Sequence, residues 1–104
     1  MAKLRNRSYQ KNGVTIYPVM PRAKERVKVT YKGLLAKNGA TELYAHVGFG
    51  STWRQISDYP MNRVGDEFVA QIPVRDAKQM HVCFKDAAEH WDNNSGENYS
   101  FELR

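Results

Sequence analysis

Two tryptophans, one histidine and a pair of asparagines are the side chains of this sequence whose chemistry suggests a ligand. They are His46, Trp53, Trp91, Asn93 and Asn94. Flat indole rings cover apolar C–H surface, while imidazole and amide groups exchange hydrogen bonds with hydroxyls. A pyranose sugar presents both kinds of surface, because its faces carry C–H bonds and its edge carries hydroxyls. The combination therefore predicts a sugar-binding surface.

The segment that contains His46 and Trp53 brings these two side chains close together. Apolar and polar residues alternate over 42–47, as in a half-buried strand, and His46 falls on the face opposite the apolar side chains. Gly48 and Gly50 allow the chain to turn tightly, and Trp53 follows at the start of the next run. His46 and Trp53 are therefore expected near each other on an outer sheet face.

Trp91 lies within Phe84–Tyr99, a polar stretch between two alternating runs. Alternation on both sides predicts strands, and the Asp, Asn, Ser and Gly residues between them are typical of a loop. Loops lie on the surface and carry binding groups, so Trp91 is predicted to point outward as a platform on which a ligand stacks. Each residue also has a plain alternative: a core tryptophan, a solvated histidine, or asparagines that only form a turn.

Short alternating runs with turn signals between them continue through the chain. Strands are predicted at Val14–Tyr17, Glu25–Tyr31, Glu42–Val47, Trp53–Ile56, Phe68–Ile72, Met80–Phe84 and Tyr99–Leu103. The prolines after the first of these favour an edge position for it. No window sustains a helical period. The pattern predicts an all-β fold, an immunoglobulin-like antiparallel β-sandwich of about seven short strands, with a small barrel as the alternative.

The length of 104 residues is that of one domain. Residues 1–12 are expected to form a basic N-terminal lead, and residues 13–104 the single sandwich domain. No run of about 18 apolar residues is present, so no membrane partner is expected. The N-terminus lacks the apolar region of a secretory signal. The lone cysteine, Cys83, lies in an apolar alternation that predicts a buried, unreactive thiol. Together these features favour a cytoplasmic location.

Positive charge is concentrated in the first part of the chain. Residues 1–40 hold ten Lys or Arg and one acid, a balance of +9, while residues 41–104 have a balance of −4. Such a segment could meet nucleic acid, an anionic surface or an acidic partner. The favoured interpretation is a solvated arm and a charged outer strand face.

Three segments resemble the starch-binding carbohydrate-binding modules of families 25 and 53. They are Tyr44–Gly48 with Trp53, Asp66–Phe68 with Ile72–Val74, and Val82–Asp86 with Trp91–Asn94 and Asn98–Tyr99. The resemblance runs from about Val27 to Leu103, and its most specific part is the last segment. It implies a β-sandwich that binds α-1,4-linked glucans such as starch, glycogen and maltooligosaccharides. It further implies Trp53 and Trp91 as stacking platforms, His46 as a hydrogen-bonding partner of a glucose 2- or 3-hydroxyl, and Asn93 or Asn94 as a further polar contact.

Catalysis is not expected. The carboxylates near Trp91 lie in one loop, whereas a glycosidase needs two on opposite sides of the scissile bond. The three histidines lack metal-ligand spacing, and no cofactor is predicted, although the Asp/Asn-rich loop could hold calcium through oxygen ligands. The expected partner is an α-glucan polysaccharide, with glycogen as the polymer of a cytoplasmic setting and an enzyme of glycogen metabolism as a candidate protein partner.

Two other functions stay open at this point. The basic N-terminal third and exposed aromatic rings could bind single-stranded nucleic acid, and edge strands could dock another protein. Nucleic acid is the less favoured partner, because the basic residues and the tryptophans lie in different parts of the chain and acids surround Trp91.

Overall fold

A computed structural model describes residues 9–11, 13–18, 21–93 and 98–103, with 9–11 described by their backbone alone. Within these residues the chain forms ten strands and one short helix. The strands are β1 Tyr9–Lys11, β2 Val14–Tyr17, β3 Arg26–Tyr31, β4 Leu43–Phe49, β5 Arg54–Pro60, β6 Asn62–Val64, β7 Glu67–Pro73, β8 Gln79–Asp86, β9 Trp91–Asp92 and β10 Tyr99–Glu102, and the helix α1 is Leu34–Lys37.

The strands form two antiparallel sheets. The first has the order β1-β2-β3-β7-β6, and the second has the order β10-β8-β4-β5, with β9 also paired to β8. The predicted all-β antiparallel sandwich is confirmed. The described residues hold three strands beyond the seven predicted, namely β1, β6 and β9. Each of these is only two or three residues long. Runs this short do not show an alternation that can be recognised in a sequence.

The core lies between the inner faces of the two sheets. In β3, Val27, Val29 and Tyr31 are buried while Arg26 and Lys28 are exposed, as the alternation of a half-buried strand requires. Tyr31 stacks on Phe84 of the opposite sheet, with ring centroids 4.2 Å apart. Since the inner faces are buried, the outer face of each sheet is left for ligands or partners.

Strand β1 changes the expected position of β2. Tyr9 pairs with Ile16 and Lys11 with Val14, so β2 lies between β1 and β3. The prediction that Val14–Tyr17 is an edge strand is therefore wrong. Pro18 follows the last residue of β2 and removes no ladder hydrogen bond. Residues 1–8 and 12 of the predicted N-terminal lead lie outside the described residues, and the division of the chain at residue 12 stays a prediction.

Strands β9 and β10 both lie along the same edge of β8. Trp91 pairs with Lys85, while Tyr99 pairs with Val82 further along. The prediction that Trp91 lies inside a loop is therefore wrong, because it lies on a two-residue strand. No helix in the described part of the chain is long and apolar enough to cross a membrane.

Candidate functional site

The candidate site lies on the outer face of the second sheet. Leu43, Ala45 and Val47 of β4 are buried in the core, so His46 points away from it, as predicted. Cross-strand pairing places His46 beside Asp58 of β5 and beside Cys83 of β8. His46 therefore stands in the middle of this face, with a strand on each side.

Trp53 lies against the backbone of β4. It belongs to the turn between β4 and β5, where it has a left-handed backbone with φ 52° and donates its N–H to the Gly50 carbonyl at 3.2 Å. A Cβ atom on Gly48 would lie 2.4 Å from Cε3 of the indole. Gly48 thus provides the space that lets the indole approach the strand so closely.

Three rings, His46, Trp53 and Trp91, lie together on this face and are called the ring cluster below. The centroid of His46 is 5.7 Å from that of Trp53, with an angle of 30° between the planes. It is 5.3 Å from the centroid of Trp91, with an angle of 87°. Because both indoles contact one imidazole, a short oligosaccharide could touch both. The indole of Trp91 is also well exposed, at 44%.

Asp92 explains why Trp91 points outward. Its side chain is 8% exposed, and it accepts hydrogen bonds from the hydroxyls of Tyr31 at 2.6 Å and Tyr99 at 3.1 Å. Adjacent strand residues point to opposite faces, so the inward Asp92 directs Trp91 outward. Burial, together with the nearby Asp92 carboxylate, raises the pKa of both phenols. Tyr31 also accepts the backbone N–H of Leu35 at 3.0 Å, which attaches α1 to this network.

Asp58 contacts two neighbours of Trp91. Its Oδ1 accepts Nδ1–H of His46 at 2.5 Å, and its Oδ2 accepts the ammonium of Lys85 at 2.9 Å. That ammonium lies 5.4 Å from the ring centroid of Trp91, a cation–π distance. Partial burial acts to raise the pKa of Asp58, but the hydrogen bonds from Lys85 and His46 outweigh it and lower that pKa. The same bond to Asp58 raises the pKa of Lys85.

The bond to Asp58 also determines which nitrogen of His46 faces a ligand. An ionised carboxylate only accepts hydrogen bonds, so Nδ1 carries the proton and Nε2 of the neutral imidazole is an acceptor. Within the described residues, no hydrogen bond engages this Nε2. His46 can therefore accept a hydrogen bond from a ligand hydroxyl.

The turn that precedes Trp91 is held by Asp86. Its Oδ1 accepts the backbone N–H groups of Ala88 at 3.0 Å and His90 at 2.8 Å, while its Oδ2 lies 2.9 Å from Nδ1 of His90. These bonds lower the pKa of Asp86, with the backbone bond from His90 the largest cause. His90 is thus engaged by the turn, and the turn fixes the start of β9.

The two predicted asparagines follow β9. Asn93 is exposed, and its carbonyl accepts the N–H of Asn98 at 2.7 Å. Asn94 lies outside the described residues. The contribution of Asn93 and Asn94 to ligand binding stays a prediction.

Cys83 is buried as predicted, at 5% exposure, but it is not part of the core between the sheets. It pairs with His46 and shares the outer face with it, so neighbouring outward side chains cover it. Burial raises the pKa of this thiol to about 11, which fits an unreactive group.

Several residues are absent from the sequence-based prediction: Asp58, His81, Lys85 and Ser100 on the outer face, and Asp92 beneath it. The alternation around Val82 and Phe84 could have placed His81 and Lys85 outward. Asp58 could not have been found in this way, because its contact with His46 depends on strand register. Within the described residues, no group of three or more His, Cys, Asp or Glu could hold a metal ion.

The fold and the ring cluster together define a class, a β-sandwich with an open aromatic face suited to sugars. The model of the starch/carbohydrate-binding module family 53 matches residues 27–82, just over half of the chain. The chain belongs to this family of non-catalytic binding modules, which confirms the resemblance and carbohydrate binding in general. The match includes His46 and Trp53, whereas Trp91 and Asn93 lie beyond it. No curated protein and no solved structure matches the chain.

Proposed function

We propose that this chain binds α-1,4-linked glucans, glycogen among them, through Trp53, Trp91 and His46. The observation that supports this most directly is the ring cluster, in which one imidazole lies 5.7 Å and 5.3 Å from two outward indoles. Indole rings stack on the C–H faces of glucose, and His46 accepts a hydrogen bond from a 2- or 3-hydroxyl. Asn93 and Asn94, next to Trp91 in sequence, add polar contacts in this proposal.

The orientation of the rings favours an α-glucan over an extended polymer. The plane of His46 is inclined by 30° to Trp53 and by 87° to Trp91, so the two indoles are steeply inclined to each other. An α-1,4-linked chain curves, and successive glucose faces turn with it. A flat β-1,4-linked chain presents its faces in nearly one plane and fits inclined platforms poorly.

The expected strength of a single site is modest. Each platform that covers a fraction of a sugar face contributes about 1–1.5 kcal/mol, and each hydrogen bond about 0.5–1.5 kcal/mol. Association opposes this by several kcal/mol, which leaves a dissociation constant in the micromolar-to-millimolar range. Attachment to a polymer becomes tight when several sites bind it together. A cytoplasmic location, with an enzyme of glycogen metabolism as a partner, completes the proposal.

Affinity electrophoresis in a native gel tests the proposal. Glycogen in the gel should retard the wild-type protein, and Trp53→Ala or Trp91→Ala should abolish the retardation. Tyr17→Ala is a matched control, because Tyr17 is an aromatic residue of similar exposure, 45%, that lies on the other sheet. Unretarded wild-type protein, or tryptophan variants that are retarded like the wild type, would overturn the proposal.

A further inference from the structure

The outer face of the second sheet continues past Trp53, on the side away from Trp91. His81 of β8 pairs with Gly48, the residue on which the indole of Trp53 rests. The ring centroids of Trp53 and His81 are 5.5 Å apart, and their planes are inclined by only 23°. Trp53 therefore contacts two imidazoles, His46 and His81, on this face.

The two histidines are anchored in similar ways. Nδ1 of His81 lies 2.8 Å from the hydroxyl of Ser100, its cross-strand partner on β10, just as Nδ1 of His46 is bound to Asp58. No hydrogen bond within the described part of the chain engages Nε2 of His81. Because a hydroxyl can donate or accept, this Nε2 can serve a ligand as acceptor or donor.

Further outward polar residues follow His81 along the sheet. Met80 and its cross-strand partner Phe101 are buried. The pair that follows them, Gln79 and Glu102, therefore points outward like His81 and Ser100. Side chains two residues apart on a strand are about 7 Å apart, so this pair lies close to the next position of a bound chain. Gln79, Glu102 and Gln55 line an open cleft of about 900 Å³. Its volume lies within the range of known ligand sites.

We propose that the glucan site extends past Trp53 into this cleft, with His81 hydrogen-bonding the chain and Gln79, Glu102 and Gln55 contacting further glucose units. The inference rests on the proposed function and adds the length of glucan that the site takes. Amide and carboxylate groups suit the hydroxyls of sugar edges. Gln79 and Glu102 share the outward face with His81 and also line the cleft, so they connect the ring cluster to it. The protein therefore prefers longer maltooligosaccharides to those that only span the ring cluster.

Titration of tryptophan fluorescence with maltotriose and maltoheptaose tests this inference. The wild type should bind maltoheptaose more tightly than maltotriose. The double variant Gln79→Ala/Glu102→Ala should lose at least about fivefold in affinity for maltoheptaose, as expected for two lost hydrogen bonds, and retain its affinity for maltotriose. Gln71→Ala is the matched control, because Gln71 is an exposed glutamine on the first sheet.

His81 needs a separate variant, because it also contacts Trp53. His81→Ala should weaken maltoheptaose binding more than maltotriose binding, and His81→Gln should restore part of the difference through its amide. An equal loss for both sugars, with no rescue by glutamine, would mean that His81 only supports the indole.

The possible failures are distinguishable. A wild type that binds no maltooligosaccharide overturns the proposed function itself. Binding with no preference for maltoheptaose, or a preference that the double variant keeps in full, overturns the extended site and leaves the ring cluster as the binding surface.

Discussion

Asp58 is the residue through which the charged and aromatic parts of the site are connected. One oxygen holds His46 and the other holds Lys85, and both of these side chains contact Trp91. Asp58 needs no contact with a sugar to influence binding. It fixes the proton on Nδ1 of His46 and keeps the ammonium of Lys85 at the face of the indole. Asp58 is therefore a positioning residue.

Replacing Asp58 should weaken glucan binding and leave stability nearly unchanged. The Asp58→Asn variant keeps the size of the side chain but removes the charge that holds Lys85 and specifies the tautomer of His46. Because the pair with Lys85 is exposed, the expected loss is roughly two- to fivefold in affinity for maltoheptaose. Asp66→Asn, in the exposed turn after β6, is the control. A melting temperature that falls sharply, with affinity unchanged, would assign Asp58 a purely structural role.

At the scale of elements, the two-residue strand β9 depends on its side chains for its position. A strand this short makes few ladder hydrogen bonds, so the bonds of Asp92 to Tyr31 and Tyr99 supply much of its attachment. These bonds connect β9 to both sheets, because Tyr31 belongs to the first and Tyr99 to the second. The position of Trp91 is thus fixed from the core outward, through its neighbour in sequence.

The two buried tyrosines should make the protein less stable at high pH. Burial raises the pKa of both phenols, so the folded state keeps their protons when the unfolded chain loses them above about pH 10. The free energy of unfolding should then fall by about 1.4 kcal/mol per pH unit for each tyrosine, with full stability below that pH. Urea unfolding between about pH 9 and 11 measures this slope.

Two variants assign the slope to its groups. Tyr99→Phe should reduce it by the contribution of one tyrosine. Cys83→Ala removes the effect of the thiol, whose pKa is raised to about 11 and which acts in the same direction over this pH range. A slope that persists unchanged in Tyr99→Phe would show that the phenol of Tyr99 does not resist ionisation in the folded protein.

Alternation along the longer strands was sufficient to predict the sandwich, the outward position of His46 and the burial of Cys83. It failed for β9, because two residues carry no period, and the polar neighbours of Trp91 resembled a loop. The burial of Asp92 was also missed, since a carboxylate within a polar stretch gives no sign of the two tyrosines that bind it. Contacts such as Asp58 with His46 and His81 with Trp53 arise from strand register and a turn, which one sequence does not reveal.

At the scale of the whole molecule, the outer faces of the two sheets have different chemistry. The second sheet carries the ring cluster and its polar neighbours. The first sheet carries basic side chains, such as Arg26 and Lys28, which point outward from β3 beside the exposed Tyr17. Because the core separates the two faces, a ligand that binds through the rings does not depend on this basic surface. Charge and stacking can therefore be tested independently.

Glucan binding should depend little on ionic strength. Stacking and hydrogen bonds to neutral hydroxyls involve no charge on the ligand. At about 0.5 M NaCl, charge–charge interactions are screened beyond a few ångströms, but such screening does not weaken contacts with a neutral sugar. Raising NaCl from about 0.05 to 0.5 M should therefore change the affinity for maltoheptaose by less than about twofold. The double variant Arg26→Glu/Lys28→Glu should also bind normally. Any retention on heparin or single-stranded DNA should instead fall steeply with salt and disappear in that variant, because phosphate and sulfate contacts release counterions. A steep salt dependence of glucan retardation would place the binding surface on the basic face, since only charged contacts lose affinity so strongly with salt.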